Sequence, residues 1–92
     1  MQFLKPLRPR IKSGEIATTI RIWTSAHVKV GGRYRLGEGF VVVDDVRRIS
    51  IGDITPEMAR ASGFAGLVDL LKTAKHGSGQ NTYLIRFHYI GG

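Results

Sequence analysis

Hydrophobic and polar residues alternate along two stretches of the chain, and this pattern predicts two β-strands. In the first, residues 18–23, Ile20 and Ile22 are predicted to share a buried face, because successive side chains of a strand point to opposite sides. The second stretch, residues 82–90, alternates in the same way and predicts a long last strand. The face of the first strand opposite its isoleucines carries three side chains of a different kind: Thr19, Arg21 and Trp23.

Further strand patterns lie between these two stretches. A glycine turn at 29–32 precedes an alternating segment at 33–36, and the glycines that follow allow a bend or bulge. Residues 40–43 are apolar at every position, which is typical of a strand that is buried on both faces inside a closed barrel with helices outside. After an irregularity at 44–45, which is predicted to be a solvated bend, residues 46–51 predict another strand.

Three segments carry helix signals. An apolar stripe predicts a short basic helix over 6–13, with Gly14 as its left-handed C-terminal cap. The segment 55–57 combines a capping threonine, a proline and an acidic residue, which is typical of a helix start, and Gly63 ends that helix. A third helix has Gly77 as its cap, and a loop follows over 76–81. Its predicted buried stripe consists of Leu67, Leu70, Leu71 and Ala74.

Together these elements predict one α+β domain that covers residues 1–92. With about four to six strands and two to three flanking helices, the pattern favours a small, mostly antiparallel β-barrel with the helices at one side. The 42% of hydrophobic residues is close to that of ordinary globular chains, which argues against disorder.

Composition narrows the expected setting of this domain. Cysteine is absent, which excludes disulfides and thiolate metal sites, and no apolar run is long enough to span a membrane. The first residues lack the apolar stretch of a signal peptide, so we expect a cytoplasmic protein without membrane contact. The three histidines show no metal-ligand spacing, and we expect neither a metal nor a cofactor.

Positive charge is concentrated in one part of the chain. The net charge is +7, and residues 1–37 hold eight basic residues against one acidic residue, whereas basic and acidic residues balance in 38–92. A small domain with this asymmetry is expected to have one electropositive side, which attracts a polyanion such as nucleic acid or a phosphorylated ligand. The alternative is that the charge only keeps the protein in solution.

The opposite face of the first strand is the candidate site. A guanidinium, a hydroxyl and an aromatic ring side by side provide a planar donor group, a polar contact and a stacking surface, which suit a nucleobase or nucleotide. The structural alternative is that Trp23 belongs to the core and that Arg21 only extends over the barrel rim. We predict that a basic cleft surrounds this face, and that its residues bind RNA or a nucleotide: Arg8, Arg10, Lys12, Thr19, Arg21, Trp23, Lys29, Arg33 and Arg35.

Residues 14–21, Gly-Glu-Ile-Ala-Thr-Thr-Ile-Arg, resemble the G-x-K-x-x-E-x-R signature of the ASCH domain family. The basic segment before it, the turn at 30–34, the helix at 55–64 and the closing strand at 83–87 follow in the order typical of that family. The resemblance implies a PUA-like β-barrel with a cleft between barrel and helices, and a role in RNA binding or RNA metabolism.

One branch of that family hydrolyses N4-acetylcytidine with a lysine, a threonine and a glutamate. The resemblance places the threonine nucleophile at Thr19, but the lysine position is Ile16 and the glutamate position falls on Ser62. A hydroxyl nucleophile needs a base within hydrogen-bond distance, and Lys12 is the only candidate replacement we identify. We therefore expect a binding module, and a small amidohydrolase that acts on acylated nucleosides is the alternative.

Overall fold

The computed structural model describes residues 2–74 and 81–91. The predicted Gly77 cap and most of the 76–81 loop lie outside these residues. The fold is α+β, as predicted, and consists of an antiparallel four-stranded sheet that curls into a half-barrel with short helices beside it. The elements in chain order are α1 (Arg8–Lys12), β1 (Thr18–Trp23), β2 (Arg33–Leu36), β3 (Gly39–Ile49), α2 (Pro56–Ala61), α3 (Leu67–Ala74) and β4 (Asn81–Ile90), with 3-10 turns at Lys5–Leu7 and Ile51–Asp53.

The strands are ordered β1-β4-β3-β2, and every neighbouring pair is antiparallel. Strands β2 and β3 form a hairpin whose loop includes Gly37 at a φ of +60°, a conformation that favours glycine. The register between β3 and β4 shifts between Val43 and Asp45, so the predicted irregularity is a β-bulge inside one continuous strand. The strands β1 and β2 are the two edges of this sheet.

The half-barrel has a core on each face. On the inner face, four side chains are almost fully buried: Val41, Val43, Ile85 and Phe87. Val41 and Phe87 pack with residues of the N-terminal segment and α1, whereas Val43 and Ile85 pack with Val28 of the loop after β1. On the outer face, α2 and α3 cover only one end of the sheet. The cluster there contains Ile20, Ile54, Ala59 and Leu70, with Ile49 and Leu84 against it.

The element ends follow the predicted signals. Gly14 has a φ of +86° where α1 ends, and Gly63 has a φ of +93° just after α2. The Thr55 hydroxyl accepts a hydrogen bond of 3.1 Å from the Met58 backbone N–H, which caps α2. The first helix is shorter than predicted, because its opening turn is 3-10 rather than α.

Two burial predictions need correction. Ile20 and Ile22 are buried as expected, but Thr19 on the opposite side of β1 is also only 5% exposed. Conversely, only Val41 and Val43 of the 40–43 run are buried, and the intervening side chains are half-exposed on the outer face, where the helices do not reach. None of the described helices is long and apolar enough to cross a membrane.

Candidate binding cavity

A cavity of about 330 Å³ lies along the free edge of β1. Residues from both faces of that strand line it, and the N-terminal segment and the connection between α2 and α3 form its other walls. The cavity thus sits where the barrel meets the helices. The lining residues are Gln2, Phe3, Leu4, Leu7, Thr19, Ile20, Arg21, Ile22, Trp23, Ser62 and Phe64.

The N-terminal segment brings an aromatic ring over Arg21. Phe3 is 8% exposed, and its ring packs against Phe87 of the inner face with the centroids 5.3 Å apart. The Arg21 guanidinium carbon lies 5.0 Å from the centroid of the same Phe3 ring, which is a cation–π contact. The position of this segment was not predicted from the sequence. Its leucines were assigned only to the apolar stripe of the first helix.

Arg21 is held by polar contacts, and none of its partners in the described part of the chain is an anion. Its Nε donates to Thr19 Oγ1 at 3.0 Å, and its Nη2 donates to the backbone carbonyl of Gln2. Burial lowers the pKa of this guanidinium, since removal from water disfavours the charged form. No acidic residue lines the cavity, and among the described residues Arg21 forms no ion pair.

An arginine has five N–H donors, so several remain for a ligand after these two contacts. A half-buried cation without a counter-ion is costly to the folded protein, and a bound anion or a strong acceptor would lower that cost. The cavity walls around it are mostly apolar, with the hydroxyls of Thr19 and Ser62 as further polar groups. This arrangement can bind a flat, largely apolar molecule that presents acceptor atoms to the guanidinium.

Trp23 is half-buried, lines the cavity and has aromatic neighbours. Its ring stacks on His27 with the planes 6° apart and the centroids 4.6 Å apart, and it lies 5.9 Å from the Tyr83 ring. The residue therefore packs beside the inner core and also exposes part of its surface to the cavity. The sequence left two interpretations of Trp23 open, a core residue and a stacking surface in the site, and its position is compatible with both.

The structure does not bring the candidate catalytic residues together. Lys12 does not line the cavity, and its Nζ lies 3.7 Å from Glu38 at the β2–β3 hairpin. The hydroxyl of Thr19 instead accepts the bond from Arg21, whose charge cannot serve as a base. The proposed replacement of the missing base by Lys12 is therefore wrong for this conformation.

The two positions that depart from the amidohydrolase pattern have structural roles. Ile16 is 2% exposed and packs in the inner core, where it contacts neither solvent nor the cavity. Ser62 is also 2% exposed, and its hydroxyl pairs with that of Thr18 at 3.2 Å, which connects the end of α2 to β1. These contacts explain both residues as parts of the scaffold.

The remaining predicted binding residues lie outside the cavity wall. The prediction that all these cations line one cavity is therefore wrong. The sheet order explains the difference, because it places β1 and β2 at opposite edges. Arg10 pairs with Glu15, and Arg33 and Arg35 are exposed on β2. The predicted residues that do not line the cavity are Arg8, Arg10, Lys12, Lys29, Arg33 and Arg35.

Within residues 2–74 and 81–91, no group of histidine, cysteine, aspartate or glutamate side chains is arranged to hold a metal ion. Comparison of the chain with family models, with curated proteins and with solved structures finds no match. The function is therefore inferred from the geometry and charge of the cavity and of the surface around it.

Proposed function

We propose that this chain is an RNA- or nucleotide-binding module of the cytoplasm that takes one unpaired base into the cavity at the edge of β1. The observation that carries the proposal is Arg21, a half-buried guanidinium without a carboxylate partner in a cavity with mostly apolar walls. Arginine pairs with adjacent acceptor atoms on a base edge, and aromatic side chains stack on base faces.

The size of the cavity supports a ligand of this class. Pockets for small molecules begin at about 300 Å³, so the present cavity is at the lower end of that range and fits one base better than an extended ligand. Trp23 provides an aromatic surface, and the Thr19 hydroxyl adds a polar group at its wall. A polymer that presents one unstacked base would satisfy these groups.

The charge of the molecule supports a polyanion over a neutral ligand. The cations outside the cavity are exposed on α1, β2 and the loop after β1, where they attract a polyanion and are accessible to its phosphates. If about five phosphates of a single strand are neutralised, log K falls with log salt at a slope of about −3.5. The resemblance of residues 14–21 to the ASCH signature, with Gly14 and Arg21 at matching positions, points to the same class of ligand.

The test is a salt series of binding to a fluorescein-labelled single-stranded RNA, read by anisotropy, with wild type, Arg21→Gln and Arg47→Gln. Arg47 is an exposed arginine far along β3 that pairs with Asp45, so its substitution removes the same charge without touching the cavity. Loss of charged hydrogen bonds costs about 1.5–3 kcal/mol, which is about a 10- to 150-fold weaker affinity for Arg21→Gln. Arg47→Gln should bind within about twofold of wild type.

Two results would overturn the proposal. Binding that does not change with salt, or that falls equally in both variants, excludes the cavity as a base site. Release of cytidine from N4-acetylcytidine, lost in Thr19→Ala, would instead establish the amidohydrolase alternative.

A further inference from the structure

The outer face of the sheet holds a second set of exposed basic and half-exposed apolar residues beyond the helices. The register places Arg35, Phe40 and Ile90 in one cross-strand row, and Arg33, Val42 and His88 in the next. The third row begins at Arg86 of β4, next to Thr18 of β1. We call this surface the outer platform, and it consists of Arg33, Arg35, Phe40, Val42, Arg86, His88 and Ile90.

The apolar members of the outer platform are not part of the core. Phe40, Val42 and Ile90 are half-buried and belong to none of the hydrophobic clusters of the described chain. The helices α2 and α3 pack instead on the opposite end of the same face, around Ile20 and Leu84. An apolar strip of this kind therefore remains open to a ligand.

The charge of the outer platform is positive. Arg33, Arg35 and Arg86 form no ion pair with any described residue. The two carboxylates beside them are already engaged, since Asp44 contacts His88 Nδ1 at 2.8 Å and Asp45 lies 3.8 Å from Arg47. The three exposed guanidinium groups around the apolar strip outnumber these two carboxylates, of which Asp45 lies directly opposite Arg86 in the β3–β4 pair.

One of these arginines already lies over an aromatic ring. The Arg35 guanidinium carbon is 5.3 Å from the centroid of Phe40, which is a cation–π contact. Bases of single strands stack on arginine planes as well as on aromatic rings, and neighbouring arginines bind the phosphates. A surface with an arginine–aromatic pair and neighbouring arginines can contact bases as well as phosphates, whereas a surface of cations alone binds only phosphates.

The outer platform begins close to the cavity. Ser62 of the cavity wall is hydrogen-bonded to Thr18, and Thr18 lies directly opposite Arg86 in the β1–β4 pair. Directly opposed residues in antiparallel strands are about 4.5–5.5 Å apart, so Arg86 lies one strand away from a residue that contacts the cavity wall. The first arginine of the outer platform is therefore near enough for a nucleic-acid strand longer than one nucleotide to contact both places.

We propose that the outer platform binds the continuation of a single-stranded nucleic acid whose base occupies the cavity, with one base on the Arg35–Phe40 pair and phosphates on Arg33 and Arg86. This inference rests on the proposed function for the class of ligand. A second copy of the chain is disfavoured as the occupant, because it would bring the same unpaired arginines together.

The experiment compares labelled single-stranded RNAs of about 3 and about 12 nucleotides, lengths that cover the cavity alone and the cavity plus a typical single-strand site. The variant Arg33→Gln/Arg35→Gln is matched by Arg48→Gln/Arg60→Gln, which removes two exposed arginines that lie outside both the cavity and the outer platform. Loss of two contacts should reduce the salt slope for the longer RNA by about 1.4 and weaken its binding about 25-fold at about 0.1 M salt. Binding of the shorter RNA should be unchanged, and the matched pair should bind both RNAs as wild type does.

Each outcome distinguishes this proposal from the proposed function. If the longer RNA loses the same affinity in both double variants, or gains nothing over the shorter one in wild type, the outer platform is not a binding surface. Arg21→Gln then still tests the cavity independently, because it should weaken both lengths. The backbone amide chemical shifts of isotope-labelled protein give a second readout that needs no substitution. If titration with the longer RNA shifts other amides but leaves those of residues 33–42 and 86–90 unchanged, the proposal is overturned.

Discussion

The hydrogen bond from Arg21 to Thr19 is the contact that orients the cavity's only described cation, and Thr19→Val removes it with almost no change in shape. Valine has a methyl group where threonine has the hydroxyl, so the bond to Arg21 Nε, 3.0 Å long in the structure, has no acceptor. The charge of the cavity stays the same. The substitution therefore separates the orientation of the guanidinium from its presence.

The expected magnitudes follow from burial. Thr19 is 5% exposed, but Arg21 is only half-buried, so water can take over part of the lost bond. We expect a loss of about 1 kcal/mol in the free energy of unfolding, at the lower end of the cost of an unpaired polar group. For a domain of this length, that corresponds to a melting temperature lower by about 4–8 °C. A guanidinium that keeps its bond to the Gln2 carbonyl but loses the one to Thr19 is less fixed in orientation and should bind RNA about 5- to 10-fold more weakly, with an unchanged salt slope.

Thr19→Ser is the matched control. Serine keeps the hydroxyl and loses one buried methyl group, which costs about 0.8 kcal/mol, so both variants should have similar melting temperatures. Only the valine variant should lose affinity in the anisotropy assay. Equal affinities of the two variants would refute the orienting role of Thr19, and so would wild-type binding by Thr19→Val.

Two further predictions concern the scaffold and the charge of Arg21. A Cβ on Gly39 would overlap the backbone carbonyl of Ile90, so Gly39→Ala should lower the free energy of unfolding, measured in urea, by about 2–4 kcal/mol. Gly52 has open space around it, so Gly52→Ala should change the free energy of unfolding by less than about 0.5 kcal/mol. Equal effects of the two substitutions would contradict the steric explanation. Because burial lowers the pKa of Arg21 below its value in the unfolded chain, its charged form costs stability throughout the neutral range, and the cost is relieved only as pH rises through the lowered pKa. The difference in melting temperature between wild type and Arg21→Gln should therefore stay constant from about pH 6 to 9, and a difference that changes within that range would show that another titrating group acts on Arg21.

Local features of the fold were predictable because their causes are local. The alternation at 18–23 predicts β1 with the bounds that the structure has, and the positive φ of Gly14 and Gly63 follows from their places after helix patterns. The acidic pair at 44–45 was identified as an irregularity, but the structure has a β-bulge there inside one strand and not a bend between two strands. In each case a residue's own conformational preference, or the period of its neighbours, determines the result.

The site was predictable only in part. Thr19, Arg21 and Trp23 share a face by strand geometry, and all three line the cavity. The prediction that the other cations join them was wrong, because it needed the order of the strands. Charge counted along the chain does not show which edge of a sheet each strand occupies.

By itself, the sequence determined most of the strand and helix segments, the caps of α1 and α2, and the excess of positive charge in the first part of the chain. Only the tertiary structure decided that β1 is an edge strand beside β4, that Phe3 covers Arg21, and that Lys12 lies at the hairpin rather than at Thr19. The physical reason is that strand alternation and capping depend on a few neighbouring residues, whereas strand pairing and the covering of a face depend on contacts between residues far apart in the chain.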